Sequence, residues 1–359
     1  MRTLLSWLAR IVFVTLAIAL MAGGFFYWQM TQRETQTPEA VAPPGGRFID
    51  AAGTKLFIHE AGPATGPAVV LIPGTGAWGE LWRATIGALS ADGYRVIAID
   101  MPPFGFSQKL AGAGAYTREA QARRIIGVLD ALQLDQVVLI GHSVGARPTL
   151  EVALTAPRRV ARLVLVDPAL NLQVGPGGEP SIPRNDPSIL VQTLFAAPEI
   201  RDTVLAAYAT NPWFTKRLFS SFVSRKEAVT EERVRILQQP LAIQRTTSAY
   251  GDWMHALMVS PDGSLGADLA NFKKLSMPVL LVWGRDDTVT PLQQGEALER
   301  LIPGAELAPI NQAGHIPYIE DAPRFNEIVR GFLKRSESER AVVPPGTQGG
   351  APGGVVSPR

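Results

Sequence analysis

The sequence predicts an α/β protein whose mostly parallel sheet is covered by helices on both faces. Short apolar runs of strand length, such as Ala68–Ile72 and Val279–Trp283, alternate with stretches of helical period. Strands that alternate with helices are typical of right-handed crossover units, which build a parallel sheet. The alternation stops between Asp167 and Phe272, where helical patterns follow one another. This segment is too long for an ordinary connection, so it is predicted to be a helical insertion.

Each element follows from its local pattern. Arg47–Ile49 and Lys55–Glu60 flank a turn and predict a hairpin. Thr117 can cap a helix that runs to Leu134. Pro240 should kink or split the helix in which it lies. The other predicted strands are Ala68–Ile72, Arg95–Ile99, Val137–Ile140, Arg162–Val166, Val279–Trp283 and Glu306–Ile310, and the other helices are Gly79–Ala91, Ala146–Leu154, Ile189–Ala197, Ile200–Ala209, Thr215–Val223, Glu231–Ala249, Leu292–Leu301 and Ala322–Arg335.

Composition excludes several classes of function. The chain has 359 residues, of which 46% are hydrophobic, and this is enough for a sizeable core. Its net charge is only +2 and no basic cluster follows a helical face, so we expect no nucleic-acid partner. It has no cysteine, which excludes thiol chemistry and cysteine-based metal sites. Its four histidines show no ligand spacing, so we expect neither a metal nor a cofactor.

The N-terminal segment is predicted to be a membrane anchor, residues 1–30. Ile11–Trp28 is uncharged and would span roughly 27 Å as a helix, which is enough for a bilayer core. Arg2 and Arg10 precede it and should stay in the cytoplasm, which places the rest of the chain on the extracytoplasmic side. The alternative is a cleaved signal peptide and a secreted protein. The run is long for a signal peptide, however, and no clean cleavage site follows it.

Composition also predicts the domain boundaries. Residues 31–46 are polar and Pro-rich and should form a flexible linker. Residues 47–167 and 273–335 should form the α/β core, and residues 168–272 a helical cap inserted into it. Residues 336–359 are charged and then rich in Pro and Gly, so they should be a disordered tail.

A Gly-His-Ser-Val-Gly stretch at residues 141–145 lies between a predicted strand and a predicted helix. This Gly-x-Ser-x-Gly pattern is a nucleophile elbow, a turn so tight that its flanking positions must be nearly free of side chains. The turn holds the serine hydroxyl above the end of the sheet, and the following helix points its N-terminus at a developing anion. We therefore predict that Ser143 is a nucleophile.

A serine nucleophile needs a base, and His315 is the predicted one. It follows the last strand, at the carboxyl edge of the sheet, where catalytic groups gather in open α/β folds. His59 lies in the early hairpin and His142 in the elbow, and both are expected to be packing residues. The His142 side chain should leave on the side opposite Ser143. His255 lies in the cap and is a candidate for substrate contact.

The base in turn needs a carboxylate that orients it. Asp286 and Asp287 are adjacent after a predicted strand, and spacing within the stretch 284–291 favours Asp287. Asp286 is then expected to be a solvated turn residue. Asp167, which ends an earlier strand, is a third candidate for this carboxylate, although a turn or capping role is expected of it. The resulting chain order, serine, aspartate, histidine, is the order of elbow-type hydrolases.

Two backbone amides should stabilise the oxyanion. One is the N–H of Val144, directly after the nucleophile. The other should come from residues 73–77, the loop that follows the strand Ala68–Ile72. Thr75 is the first choice and Gly76 the second, with Gly74 and Gly76 allowing the backbone to approach the substrate.

The predicted cap is rich in large apolar side chains, which suggest an apolar substrate. Each of them singly could equally be part of the cap core. Trp253 and His255 are the cap residues predicted to contact substrate. The large apolar side chains are Trp213, Phe214, Phe219, Phe222, Trp253 and Met254.

Four motifs make the chain resemble the α/β-hydrolase family from about residue 47 to residue 335. They are GHSVG at 141–145, WGRDDTVTP at 283–291, DMPPFGFS at 100–107 and AGHIPYIEDAPRFNEIVRGFL at 313–333. The resemblance implies an eight-stranded, mostly parallel sheet with the second strand antiparallel, a helical cap and a Ser-Asp-His triad. Pro73 stands where the family usually has histidine, and Pro103 where it usually has glycine. Neither change removes a catalytic group.

The expected activity is hydrolysis of a small, apolar carboxylic ester through an acyl-enzyme intermediate. The serine nucleophile argues against the related dehalogenases and epoxide hydrolases, which use aspartate there. The alternative is hydrolysis of a carbon–carbon bond in a diketone-like substrate, because capped members of the family also do this. A non-catalytic, membrane-tethered binding protein on the same fold is a third hypothesis, since a fold does not fix a function. The sequence leaves the oligomeric state open.

Overall fold

The computed structural model describes residues 2–183 and 187–341, and an eight-stranded sheet forms its core. The strand order is β1-β2-β4-β3-β5-β6-β9-β10. In this sheet β2 is antiparallel to both of its neighbours, β1 and β4. The remaining neighbouring strands of the sheet are parallel to one another. The predicted fold class is therefore confirmed. The strands are β1 (Gly46–Ala51), β2 (Thr54–Ala61), β3 (Ala68–Ile72), β4 (Arg95–Ile99), β5 (Val137–His142), β6 (Val160–Val166), β7 (Gln173–Val174), β8 (Pro180–Ser181), β9 (Val279–Gly284) and β10 (Glu306–Ile310).

The central strands are apolar throughout because both faces of the sheet are covered. Along β3, Val69 and Leu71 point into one apolar core, and Val70 and Ile72 into the other. α3 and α13 cover the first face, and α4, α5 and α11 cover the second. The helices are α1 (Arg2–Arg33), α2 (Pro38–Val41), α3 (Arg83–Ala91), α4 (Arg118–Ala131), α5 (Ala146–Thr155), α6 (Ile189–Ala196), α7 (Pro198–Ala207), α8 (Pro212–Phe222), α9 (Glu231–Gln238), α10 (Thr246–Met258), α11 (Leu292–Leu301), α12 (Pro317–Glu320) and α13 (Ala322–Ala341).

A helical segment separates two strands that are neighbours in the sheet. β6 pairs with β9, and helices α6 to α10 lie between them in the chain. We refer to the segment that contains these five helices, residues 189–258, as the cap. The helix predicted over Glu231–Ala249 is split at Pro240, where a short 3-10 turn separates α9 from α10. Arg245, with φ of 66°, precedes α10.

Helix α1 is the one helix among the described residues that is long and apolar enough to cross a bilayer. Many of its described apolar side chains are exposed. Its C-terminal third lies against the cap. A methyl group on Gly23 would lie 3.2 Å from the Thr203 side chain of α7, and the Phe26 ring lies 6.3 Å from the Trp213 ring of α8.

The segment predicted to be a flexible linker, residues 31–46, is bound to the body of the protein. The Glu34 carboxylate accepts hydrogen bonds from the backbone and hydroxyl of Thr247. The backbone N–H of Gln36 donates to the carbonyl of Ala242, at 3.1 Å. The break in the cap helix around Pro240 leaves backbone groups without helical partners, and this segment satisfies some of them. Its composition indicated a lack of regular structure, which does not imply a lack of contacts.

The predicted start of the disordered tail, residue 336, lies inside a helix. Helix α13 continues through residues 336–341 to Ala341, because no glycine or proline follows Gly331 until Pro344. The rest of that tail, residues 342–359, lies outside the described residues.

One loop is fixed by a fully buried carboxylate. Asp100 accepts hydrogen bonds from the backbone N–H groups of Gly79 and Phe106, both at 2.8 Å. Lys109 donates to the carbonyls of Gly105 and Ser107, at 2.6 and 3.2 Å. Burial raises the pKa of Asp100 to about 7, against the lowering effect of its hydrogen bonds. Residues 103–105 of this loop are thereby held on the wall of the cavity described below.

Candidate active site

The nucleophile elbow has the conformation that its sequence predicts. Ser143 has φ of 52°, which is unusual for a residue with a side chain, and it begins the 3-10 turn that leads from β5 into α5. Such strain is typical of functional sites. A side chain on Gly145 would overlap the carbonyl of Pro73. The tight turn therefore requires this glycine and presents the serine at the carboxyl end of the sheet.

The three predicted catalytic side chains meet there. Nε2 of His315 lies 2.8 Å from Oγ of Ser143, and Nδ1 of His315 lies 2.7 Å from Oδ2 of Asp287. All three residues are buried. Both distances are within hydrogen-bond range, so the imidazole can take the serine proton while the carboxylate fixes its tautomer.

Asp287, and not Asp286, is the partner of His315. Oδ1 of Asp287 accepts from the N–H groups of Val289 and Thr290, at 2.7 and 3.1 Å. Oδ2 also accepts from the hydroxyl of Thr290, at 2.6 Å. Burial acts to raise the pKa of Asp287, but the hydrogen bonds and charge of His315 outweigh it and hold the pKa below its usual value. Asp286 instead contacts Ser224, 3.4 Å away.

Asp167 lies behind this pair, which the sequence did not indicate. It forms a cluster with Asp287 and His315 whose polar atoms all lie within 4.8 Å of one another. Its Oδ1 accepts from the N–H of Gly284 at 2.9 Å. Complete burial, and then the nearby negative charge of Asp287, raise its pKa well above the usual value. Of these two adjacent buried carboxyls, Asp167 is therefore the one whose neutral form is favoured.

Asp167, Asp287 and His315 are residue types that can bind a metal ion, but their hydrogen bonds fit proton transfer better. Nδ1 of His315 is bonded to Asp287 and Nε2 to Ser143. Neither ring nitrogen of His315 is left to coordinate an ion without breaking one of these bonds.

His142 holds the catalytic histidine from the other side. Its Nε2 lies 2.7 Å from the carbonyl oxygen of His315, so this nitrogen carries the proton and donates. Burial, and then the neighbouring His315, lower the pKa of His142 to about 3, so the ring stays neutral. It is a packed residue, as expected, but it also lines the cavity that contains Ser143 and does not turn away from it. Sequence could not show this, because the contact joins two distant strand ends.

Glu320 fixes the loop that carries His315. Its Oε1 accepts from the N–H groups of Gly314 and Ile316, which flank His315, at 2.9 and 3.2 Å. Its Oε2 accepts from the N–H groups of Ser224 and Arg225 in the cap, at 2.7 and 2.9 Å. One carboxylate therefore ties the histidine loop to the end of α8.

The predicted oxyanion loop lies beside the nucleophile. Thr75 and Gly76 line the same cavity as Ser143. A methyl group on Gly74 would lie 2.9 Å from Cβ of Ser143, so the loop backbone passes directly over the serine. Val144 follows the serine in the turn that begins α5. The loop that contains Thr75 and the turn that contains Val144 therefore both adjoin the nucleophile, and an oxyanion role for their amides stays a prediction.

Ser143 opens into a cavity of about 410 Å³ between the sheet and the cap. Among the described residues that line it, none is Asp, Glu, Lys or Arg. The cap residues on its wall are Val204, Leu205, Tyr208, Ala209, Thr210, Thr215, Leu218, Phe219, Phe222, Leu237, Pro240, Leu241, Thr246, Tyr250 and Met254.

Two predicted substrate contacts lie elsewhere. Trp253 packs against Phe104 and lines a separate, smaller cavity of about 50 Å³. His255 lies against Phe195, with ring centroids 5.5 Å apart, and lines neither cavity. Both residues are on α10, whose cavity face carries Tyr250 and Met254 instead. Sequence could not give the rotation of this helix, because both of its faces carry aromatic residues.

Comparison with known proteins decides the family. The model of the alpha/beta hydrolase fold matches residues 67–322. The chain belongs to the α/β-hydrolase fold family. It is 31% identical to a 2-hydroxymuconate semialdehyde hydrolase of a Pseudomonas species, over 83% of this chain and 96% of that one. It is also 31% identical to a 2-hydroxy-6-oxo-2,4-heptadienoate hydrolase of Pseudomonas putida, over 80% and 96% of the two chains.

Solved structures agree. This hydrolase resembles the meta-cleavage product hydrolase CumD of Pseudomonas fluorescens, with a TM-score of 0.60 and 28% identity over 81% of this chain and 98% of that one. The predicted enzyme class, a hydrolase acting on a small molecule, is confirmed. The relatives favour the alternative expectation, carbon–carbon bond hydrolysis, over ester hydrolysis.

The two buried aspartates give a matched pair of variants. Asp287→Asn removes the charge that stabilises the His315 cation and should lower kcat by about 10⁴-fold. Asp167→Asn replaces a neutral acid with an amide of the same shape, which can still accept from Gly284 and donate to Asp287. It should change kcat by less than about tenfold. Steady-state kinetics on both variants tests this assignment, and equal losses would show that Asp167 is ionised.

Proposed function

We propose that this hydrolase cleaves a carbon–carbon bond next to a ketone carbonyl, with Ser143 as the nucleophile. The observation that carries the proposal is the identity of about 30%, over most of both chains, to hydrolases of 2-hydroxy-6-oxo dienoates. The buried Ser143, His315 and Asp287 support it, because they provide the nucleophile, the proton carrier and its orienting carboxylate.

The steps follow from the contacts. His315 takes the proton of Ser143, whose oxygen attacks the carbonyl carbon. The Thr75 and Val144 amides stabilise the resulting oxyanion. When the carbonyl re-forms, the carbon–carbon bond breaks and the leaving carbon, stabilised as an enolate, receives the proton from His315. Water, activated by the neutral His315, then hydrolyses the acyl-serine and releases a carboxylic acid.

Ester hydrolysis is the second candidate, and the lining of the cavity is compatible with a neutral ester. A buried carboxylate needs a cation or several donors, since its desolvation is costly. No Lys or Arg is among the described residues that line the cavity, so a neutral substrate fits it best. The same acyl-enzyme chemistry acts on an ester, with an alcohol in place of the enolate.

One assay separates these functions. The full chain in detergent is given a 2-hydroxy-6-oxo dienoate, a neutral β-diketone and a neutral activated ester, with Ser143→Ala as the control. We expect cleavage of one of the ketone substrates that depends on Ser143. The cleavage is measured as a loss of substrate absorbance and by the masses of the products. Turnover of the ester alone would favour the esterase, and no turnover of any substrate would favour the non-catalytic binding protein.

We also propose that α1 anchors the enzyme in a membrane, with the hydrolase body on the extracytoplasmic side. The uncharged length of α1 and the arginines that precede it support this orientation. A C-terminally tagged chain should remain in the membrane fraction after alkaline extraction and should keep its full mass. A soluble, shortened product would contradict the anchor and would favour a secreted enzyme.

A further inference from the structure

The cap exposes a stripe of apolar side chains. Ile200 and Val204 on α7 are 61% and 51% exposed, and Tyr208, directly after the helix, is 47% exposed. Their spacing of four residues places the two helical residues on one helix face, with the tyrosine at its end. On α8, Trp213 is 66% exposed. A contiguous apolar patch of this kind is typical of an interaction surface. We call these four residues the cap stripe.

The cap stripe adjoins the predicted membrane helix. Thr203 of α7 contacts α1 at Gly23. The exposed Trp213 lies 6.5 and 6.3 Å, between ring centroids, from Phe25 and Phe26 of α1. The cap therefore meets α1 in the same region in which it exposes its apolar side chains.

The length of α1 sets the depth of this contact. A bilayer core of about 30 Å needs about 20 helical residues. A span that begins after Arg10 therefore extends through Phe26 and to about Met30. A span shifted towards the N-terminus would bring Arg10 into the hydrocarbon, which is costly. Gly23 and Phe26 lie in the last two turns of this span and contact α7 and α8, so the contacting parts of these two helices reach into the outer part of the bilayer.

The cavity extends to the cap stripe. Val204 and Tyr208 are half exposed and also line the cavity that contains Ser143. The rest of that wall is mostly apolar and carries no Asp, Glu, Lys or Arg among the described residues. An apolar molecule dissolved in the bilayer could pass these two side chains without crossing water.

We propose that the cap stripe binds the lipid bilayer and that the cavity takes its substrate from the lipid phase. This proposal rests on the proposed anchor and on the proposed function of Ser143. It adds the source of the substrate and an apolar, membrane-partitioning substrate class. Continuity with α1 favours a bilayer over a second copy of the chain as the partner.

The absence of cysteine makes a direct test possible. Ile200→Cys and, as the matched control, Leu265→Cys are labelled with a nitroxide in the full chain. Leu265 is also exposed, at 42%, and lines neither cavity. The labelled chains are placed in nanodiscs of phosphatidylcholine and phosphatidylglycerol, and collisions with oxygen and with a water-soluble nickel chelate are measured.

We expect the label at position 200 to collide several-fold more with oxygen, and several-fold less with nickel, than the label at position 265. Equal accessibility at the two positions would overturn the proposal. Protection of position 200 from both reagents, with spin–spin broadening, would also overturn it and would indicate a dimer. This readout does not need activity, so it stands even if the proposed reaction is wrong.

The route by which substrate enters the cavity is tested by measuring ester hydrolysis. Activated esters report acylation of Ser143 whichever bond the natural substrate offers. Ile200→Glu should raise the KM for a long-chain p-nitrophenyl ester in nanodiscs by about tenfold and leave p-nitrophenyl acetate unaffected. Leu265→Glu should change neither. An equal effect of Ile200→Glu on both esters would overturn the route, whereas wild-type inactivity on both would count against the proposed function.

Discussion

The hydrogen bond between His315 and Asp287 is the interaction on which the site depends. It joins the loops after β9 and β10, and it decides which nitrogen of the imidazole faces Ser143. Several buried groups serve it. Thr290 and the backbone donate hydrogen bonds to the Asp287 carboxylate, and Asp167, whose raised pKa favours its neutral form, lies behind it. Two neighbouring carboxyl groups whose pKa values are shifted in opposite directions therefore lie beside the histidine that transfers the proton.

The backbone of the histidine loop is fixed as firmly as its side chain. His142 donates to the carbonyl of His315, and Glu320 accepts from the amides on either side of it. Glu320 also accepts from the amide of Ser224, just after α8, so the position of the base is linked to the position of the cap. A movement of α8 on substrate entry would therefore change the position of His315.

The cavity and the relatives point to different substrate charges. The names of the relatives describe dienoate and semialdehyde substrates, whereas the wall of this cavity offers hydroxyl groups and no cation. The two observations are reconciled if this chain keeps the reaction of its relatives but acts on a neutral ketone. The apolar wall of the cavity fits such a substrate.

The sheet and the triad could be predicted from sequence because both follow from local signals. Apolar runs gave the strands, and Ser143, Asp287 and His315 each follow a strand at the same edge. The contacts of His142 and Asp167 could not be predicted, because they depend on which strands are neighbours. The face of α10 that carries Trp253 and His255 could not be predicted either, because the rotation of this helix is set by packing. The docking of residues 34–36 depends on a helix break more than 200 residues away in the chain.

The most direct test of the central claim is covalent labelling of the full chain with a fluorophosphonate, followed by peptide mass spectrometry. The geometry predicts stoichiometric modification of Ser143, with a rate about 10³-fold lower in His315→Gln, where the base is lost. An unlabelled Ser143, or a His315→Gln variant that reacts as fast as the wild type, would contradict the account.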